Sequence, residues 1–309
     1  MPQFQPFDPS NPNSAPSPLA DPITSAIFSS VEEAGLAAES LIRETLKSDG
    51  NEKLLGKIIR VTPQHSHISP RYRSCRVDIE SETDSNEHII VEVQTSRDPN
   101  IMRRDLFTAS HIYVKTSNKG DSPTQMATKM PRVIFINILG YNIRSDNNDL
   151  VQPFKVLYTK PPHDIAIPNF CGYNIQLPKV EEMKPDFNSG LYCWCYTLYT
   201  AHKQNKSIQE VITMTPALQA YTLEDTGFLQ FCKRYNLIAG TETARWEYQR
   251  WIWDTMREEG ILEGAREEAL EQGQVIATEN LARKMKEAGY PIKNIIELTG
   301  LTHNKIQEL

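Results

Sequence analysis

The sequence predicts an α/β fold, in which a mixed central sheet is flanked by helices and followed by a helical C-terminal region. Two short segments, 76–80 and 88–94, alternate polar and apolar residues, and the second is rich in β-branched side chains, which indicates strands. The apolar segment 132–138 predicts a further, buried strand. From Gly190 almost to the end, apolar residues recur at helical spacing. Together these patterns favour a mixed α and β core over an all-α or an all-β protein.

The N-terminal part begins with a predicted tail. Residues 1–22 hold seven prolines among Ser and Asn, so they are expected to be disordered. Residues 23–48 have the apolar spacing of a helix, and a second short helix is predicted at 51–60. Residues 61–74 contain Pro63, Pro70 and many polar side chains, which predicts a loop.

The middle of the chain supplies the sheet. The polar segment 81–87 joins the first two strands and has the composition of a turn, so a hairpin is expected. A helix at about 99–115 should follow, before the buried strand. Extended segments are predicted at 154–158 and 173–178. We assign residues 23–188 to one core domain.

The remainder is predicted to be helical, with an accessory region at 189–254 and a charged helix plus a small helical unit at 255–309. Gly289 and Gly300 fit the ends of helices, and Thr302 fits the start of the last one. This end resembles a helix-turn-helix unit, but its last helix is poorly basic for a recognition helix. Packing, or homo-oligomerisation through the C-terminal helices, is therefore favoured.

Composition excludes several classes of protein. The longest apolar run is far shorter than the ~20 residues that span a bilayer. The absence of Lys and Arg before Arg43 argues against a secretory leader. Five cysteines do not suggest a disulfide framework, and Cys193-Trp-Cys195 lacks a second pair for zinc, so a cytoplasmic location is expected. The net charge of −6 disfavours nucleic acid as a partner, although the central part of the chain is basic.

The segment with candidate chemistry is Asp78, then thirteen intervening residues, then Glu92-Val93-Gln94. On a strand, Glu92 and Gln94 point to the same face. If 77–79 pairs with 91–93, Asp78 and Glu92 become neighbours with Cβ atoms ~4.5–5.5 Å apart. Two such carboxylates repel each other, and a divalent cation with a preference for oxygen, such as Mg²⁺, removes the repulsion. The Val93 carbonyl could add a ligand, and the metal could activate water for attack on a phosphodiester.

Other polar residues are expected to be ordinary surface groups. Carboxylates on the solvent face of a hairpin are common, and Glu80, Glu82, Asp84 and Glu87 are expected to be of this kind. His65 is expected to be exposed, because His65-Ser-His67 lacks further ligands for a transition metal.

The order of elements also carries a resemblance. An acidic helix, an Asp-bearing strand, a polar turn, an Ile-Ile-Val-Glu-Val-Gln strand, an Arg-rich helix and a buried strand follow one another. This order resembles the PD-(D/E)XK nuclease superfamily, and more narrowly the recombination-promoting nuclease/putative transposase family. Its "D…(I/V)E(M/V)Q" core matches Asp78, Glu92 and Gln94, with Gln where many members of the superfamily have Lys. The resemblance implies a restriction-endonuclease-like core and a Mg²⁺-dependent DNA endonuclease that promotes recombination or transposition.

The resemblance also implies roles for particular residues. Asp78 and Glu92 would bind Mg²⁺, and Gln94 would orient the attacking water or a phosphate oxygen. Glu52 would be the acidic residue of the short helix predicted at 51–60. The candidates for phosphate contacts are Arg103, Arg104 and Lys115, for which a solvated helix face is the competing interpretation. The net charge and the missing Lys favour a second hypothesis, a catalytically inactive nuclease-like module that binds DNA or protein and assembles through its C-terminal helices.

Overall fold

A computed structural model describes residues 14–28, 31–51, 55–67, 75–143 and 148–309 of the chain. Its strands form one sheet of six and one of two. They are β1 (Ile58–Pro63), β2 (Ser66–His67), β3 (Cys75–Arg76), β4 (Ile79–Thr83), β5 (Glu87–Gln94), β6 (Arg132–Leu139), β7 (Val151–Leu157) and β8 (Ile165–Gln176).

Helices precede, interrupt and follow the sheet. They are α1 (Asp21–Ile27), α2 (Val31–Lys47), α3 (Ile101–Thr116), α4 (Pro123–Lys129), α5 (Lys179–Glu182), α6 (Gly190–Gln204), α7 (Ile208–Met214), α8 (Pro216–Glu224), α9 (Thr226–Ala239), α10 (Glu242–Glu287), α11 (Ile292–Thr299) and α12 (His303–Glu308). Among the residues that the structure describes, none of these helices combines the length and the apolar character that crossing a bilayer requires.

The large sheet has the strand order β1–β4–β5–β6–β8–β7. Its central strands β5, β6 and β8 are parallel, whereas the outer pairs β1/β4, β4/β5 and β7/β8 are antiparallel. Parallel strands are covered on both faces and therefore need nearly continuous apolar sequence, as β6 has. The predicted α/β fold with a mixed central sheet is confirmed.

Helices cover both faces of this sheet. On one face, Ala109 and Ile112 of α3 pack against Ile90, Phe135 and Phe170. On the other face, side chains of the strands and of the helices surround a small apolar space. Its lining includes Phe28, Leu41, Val91, Ile138, Trp194, Leu198 and Phe231. The sheet is therefore the middle layer, and α3 lies on the face that carries the predicted site.

Two predictions for the N-terminal half are wrong. The helix predicted at 51–60 is replaced from Ile58 onward by β1, because its β-branched residues pair with β4. Part of the loop predicted at 61–74 is also extended, in the end of β1 and in β2. Residues 52–54 and 68–74 lie outside the described residues.

The end of the predicted tail is folded. Leu19 is buried, and the Tyr235 hydroxyl donates a hydrogen bond of 2.6 Å to the Pro16 carbonyl. Pro22 lies in the first turn of α1, where its missing N–H costs nothing. Residues 14–22 thus use their prolines as carbonyl acceptors and as a helix start, so the expected disorder is wrong for them, and residues 1–13 lie outside the described residues.

The chain divides into two compact units, residues 1–251 and residues 252–309. In the second unit, Ala282, Met285, Ile295 and Ile306 form a small apolar core. Gly300 ends α11 with a φ of 70°, and the Thr302 hydroxyl accepts a hydrogen bond from the Lys305 N–H at the start of α12. These two predicted helix ends are confirmed.

We expect Asp225→Ala to lower the free energy of unfolding by about 1–2 kcal/mol. The Asp225 carboxylate accepts hydrogen bonds from the Phe228 N–H at 2.8 Å, from the Ser40 hydroxyl at 2.6 Å and from the Tyr221 hydroxyl at 2.8 Å. The substitution removes the cap of α9 and both hydroxyl contacts. Urea denaturation measures the loss, and Asp225→Asn, which keeps one acceptor oxygen, should lose less. Equal stability of Asp225→Ala and the wild type would contradict this account.

Candidate active site

Asp78 and Glu92 face each other across the start of the β4/β5 hairpin. The ladder pairs Ile79 with Val91, and one further step along it sets Asp78 opposite Glu92. This is the register predicted from the sequence. Asp78 itself lies in a bend just before β4, so the strand predicted at 76–80 is wrong in detail. The ladder instead continues to Thr83, and the turn occupies residues 84–86.

Backbone hydrogen bonds hold the two carboxylates in place. The Val93 N–H donates to Asp78 Oδ2 at 2.8 Å. The Asp78 backbone in turn hydrogen-bonds the Glu92 carboxylate. These two bonds, together with the register of the hairpin, hold the Asp78 and Glu92 side chains next to each other.

Burial disfavours the charged form of both acids. It raises the pKa of Asp78 to about 6, although the hydrogen bond from Val93 opposes the shift. Burial, and next the charge of Asp78, raise the pKa of Glu92 well above its ordinary range. Two neighbouring carboxylates of this kind are stabilised by a proton or by a cation.

Arg104 is the nearest basic residue to the pair. Its guanidinium lies 3.6 Å from Glu92 Oε2 and 3.0 Å from Asp98 Oδ2. Arg103, next to it in the first turn of α3, is exposed, and its guanidinium donates to Asn100 Oδ1 at 3.4 Å. Lys115 follows Arg104 by eleven residues, which is ~16 Å along a helix. The structure brings Arg104 to Glu92 and leaves Lys115 at the far end of α3.

A cleft of about 630 Å³ opens beside Glu92, between β5 and the N-terminal part of α3. The half-buried Gln94 lies in its wall, two residues beyond Glu92 on the same face of β5. The other lining residues are Arg76, Asp98, Asn100, Ile101, Arg103, Arg104, Asp105, Phe107 and Thr108. Most of the residues that line the cleft are polar or charged, and Ile101 and Phe107 add apolar surface.

Two residues of this region were missed in the sequence. Asp105 is buried in the wall of the cleft and accepts a hydrogen bond of 2.8 Å from Asn137 Nδ2. Burial raises the pKa of Asp105 to about 7. Asn137 lies in the middle of β6, where Ile136-Asn137-Ile138 interrupts an apolar run. That single polar residue in a strand predicted to be buried was the available signal.

A second polar cluster lies on the same face of the hairpin. Glu80 is 1% exposed, and its oxygens contact His65 Nδ1 and, at 2.7 Å, His88 Nδ1. Among the described residues, Glu80, Glu82 and His88 offer ligand atoms within 4.8 Å of one another. Glu82 also pairs with Arg60, so the cluster is held by its own hydrogen bonds.

The expectation that the acids of the hairpin lie on the solvent face is therefore wrong for two of them. Glu80 is enclosed by imidazoles. Glu87 is 4% exposed and accepts hydrogen bonds from the Thr83 hydroxyl and the Gly56 N–H. Asp84 is exposed as predicted. Glu52, the predicted acidic residue of the short helix at 51–60, lies outside the described residues.

A comparison with known protein families matches residues 26–255 to the family described as "PD-(D/E)XK nuclease family transposase". The match spans 230 of the 309 residues and includes the whole large sheet, the cleft and α3. No curated protein and no solved structure matches the chain.

Proposed function

The chain belongs to the PD-(D/E)XK nuclease family transposases, and from this we propose that it is a Mg²⁺-dependent endonuclease that hydrolyses the backbone phosphodiester bonds of DNA. The observation that carries the proposal is the pair Asp78 and Glu92. The half-buried carboxylate of Asp78 and the buried carboxylate of Glu92 lie side by side at the carboxyl end of β5, which runs parallel to β6, and ligand sites of α/β sheets lie at such ends.

The donor atoms suit Mg²⁺. Asp78, Glu92 and the Val93 carbonyl offer only oxygen, and hard oxygen ligands are what this cation prefers. The raised pKa values of both acids mean that a cation would relieve an unfavourable charge pair. Bound there, Mg²⁺ would polarise the phosphate and favour ionisation of a water molecule for attack.

The other residues of the cleft have separate tasks. The Gln94 side chain has both an acceptor oxygen and a donor NH₂. It can therefore orient the attacking water and hold a phosphate oxygen at the same time. It carries no charge, so positive charge for the phosphate must come from elsewhere. Arg104 supplies it, and its ion pair with Glu92 fixes the guanidinium at the edge of the site.

We further propose that cleavage by this site initiates recombination or transposition, and that the chain forms homo-oligomers in the cytoplasm. The exposed Trp253 and Ile261 of α10 support association through the C-terminal helices. Buried unpaired cysteines, among them Cys193 and Cys195, support a reducing compartment.

Nicking of supercoiled plasmid in Mg²⁺ tests the proposal. The wild type should convert the plasmid to the open circle, and EDTA should stop the reaction. A wild type that binds DNA without cleaving it would instead support the inactive, nuclease-like binding module.

We expect Arg103→Ala and Arg104→Ala each to weaken binding to a duplex by about 3–10-fold and to lower the salt slope by about 0.9, because each removes one phosphate contact. Lys115→Ala is the matched control. It removes the same charge from the same helix, but ~16 Å from Arg104 along α3 and outside the lining of the cleft, and should leave affinity unchanged. Fluorescence anisotropy in EDTA at several salt concentrations measures both quantities. A larger loss for Lys115→Ala than for Arg104→Ala would contradict the placement of DNA at this cleft.

A further inference from the structure

A row of polar side chains crosses the sheet at the level of the site. Glu92 on β5 is the register partner of Asn137 on β6, and Asn137 is the partner of Asn174 on β8. Register partners on adjacent strands lie on the same face, about 4.8 Å apart. Asn137 is completely buried and is the neighbour of Glu92 on this face of the sheet.

The amide of Asn137 is held in one orientation by its nitrogen. Nδ2 donates to Asp105 Oδ2 at 2.8 Å and to Asn174 Oδ1 at 2.9 Å. Oδ1 is buried and, among the described residues, has no hydrogen-bond partner. A buried carbonyl oxygen without a donor costs about 1–3 kcal/mol. This oxygen therefore indicates a donor that belongs to the working site.

The position of the amide nitrogen shows where that donor lies. Nδ2 is directed toward Asn174 on β8, so Oδ1, on the other side of the amide, is directed toward β5. On that side of Asn137, Oδ1 faces its register partner Glu92, whose ionised carboxylate is also an acceptor. When a cation keeps the Glu92 carboxylate ionised, the two acceptors cannot bond each other, but a water molecule donates to both.

We propose that Asn137 is a positioning residue of the site, whose Oδ1 accepts a hydrogen bond from a water molecule in the hydration shell of the cation held by Asp78 and Glu92. The inference rests on the proposed function. Mg²⁺ loses its water reluctantly and keeps several molecules when bound, so a buried acceptor beside the site is a natural partner for one of them. Asp105 fixes the amide of Asn137 and so aims this acceptor.

We expect Asn137→Leu to weaken Mn²⁺ and Mg²⁺ binding by about 10-fold, the lower end of what loss of an outer partner costs a metal site. Asn174→Leu is the matched control, since it replaces a buried Asn of the same row that is one strand further from Glu92. It removes one bond of Asn137 Nδ2, but the bond to Asp105 remains and keeps the amide in place. Its affinity should stay within about 2-fold of the wild type. Calorimetric titration measures affinity, and the melting temperature in EDTA reports whether each variant is folded.

The Asp105→Asn variant tests the positioning role of Asn137 if Asn137→Leu does not fold. Asparagine has the same volume, but it can present either its oxygen or its NH₂ to Asn137, whereas the ionised carboxylate of Asp105 only accepts. The Asn137 amide can then turn, and cation affinity should fall about 3–10-fold. Wild-type affinity in whichever of these two variants folds, or an equal loss in Asn174→Leu, overturns the inference. A wild type that binds no divalent cation overturns the proposed function itself, and the two failures are thereby distinguished.

Discussion

Asp78→Asn and Glu92→Gln should each lower plasmid nicking in Mg²⁺ by on the order of 10³-fold or more, because even one electrostatic stabiliser in an active site contributes about 10²–10³-fold. Each substitution exchanges a charged oxygen for a neutral NH₂ of the same size. A site with one carboxylate holds the cation weakly and places it poorly. Rates of conversion of supercoiled to open-circular plasmid measure the effect.

The same variants should not be less stable than the wild type in EDTA. In the metal-free protein the two carboxylates are neighbours, and desolvation raises the pKa of both. Removing one of them removes the repulsion without leaving a cavity. Equal or higher melting temperatures would therefore show that the loss of nicking is not a loss of folding.

Glu82→Gln is the matched control for this pair. Glu82 lies on β4, the strand that follows Asp78, and on the same face, but it is bonded to Arg60 and lies outside the cleft. It should nick like the wild type. If Asp78→Asn and Glu92→Gln also nicked like the wild type, the catalytic role of the pair would be refuted.

The register of this pair was predictable, because alternation along two short strands determines which residues share a face. Asp78 and Glu92 needed only the pairing of Ile79 with Val91. The bend at Asp78 was not predictable in the same way, since it depends on the bonds between residues 64–65 and 77–78 of the chain. The alternation of residues was enough to predict that Asp78 and Glu92 are neighbours, whereas the bend at Asp78 depends on a contact with residues outside the hairpin.

The buried polar residues were missed for a different reason. Glu80 was assigned to the solvent because carboxylates on the outer face of a hairpin are common, and alternation along a strand does not show which side chains cover them. Its partners are His65, from before the hairpin, and His88, from its second strand. Asp105 was missed because its partner, Asn137, lies 32 residues further on. A buried charge is predictable only when its partner is known, and these partners are set by the topology of the sheet.

The metal-free protein should be more stable at pH 5 than at pH 8. Burial raises the pKa of Asp105 to about 7 and that of Asp78 to about 6, from 3.8 for an ordinary aspartate. Between about pH 4 and pH 7 the folded state therefore binds more protons than the unfolded chain, and stability falls as the pH rises through this window. Asp105 is 2% exposed, so solvent screens its shift little.

Asp105 alone should contribute about 2–3 kcal/mol to this difference, at 1.36 kcal/mol for each pH unit between pH 5 and its folded pKa. Urea denaturation in EDTA at both pH values measures it. Asp105→Asn, which cannot ionise, should flatten the profile by that amount, whereas Asp84→Asn, on the exposed turn of the hairpin, should leave it unchanged. A wild type whose stability rises from pH 5 to pH 8 would mean that the buried acids are already neutralised by partners, and the cation would then have no charge pair to relieve.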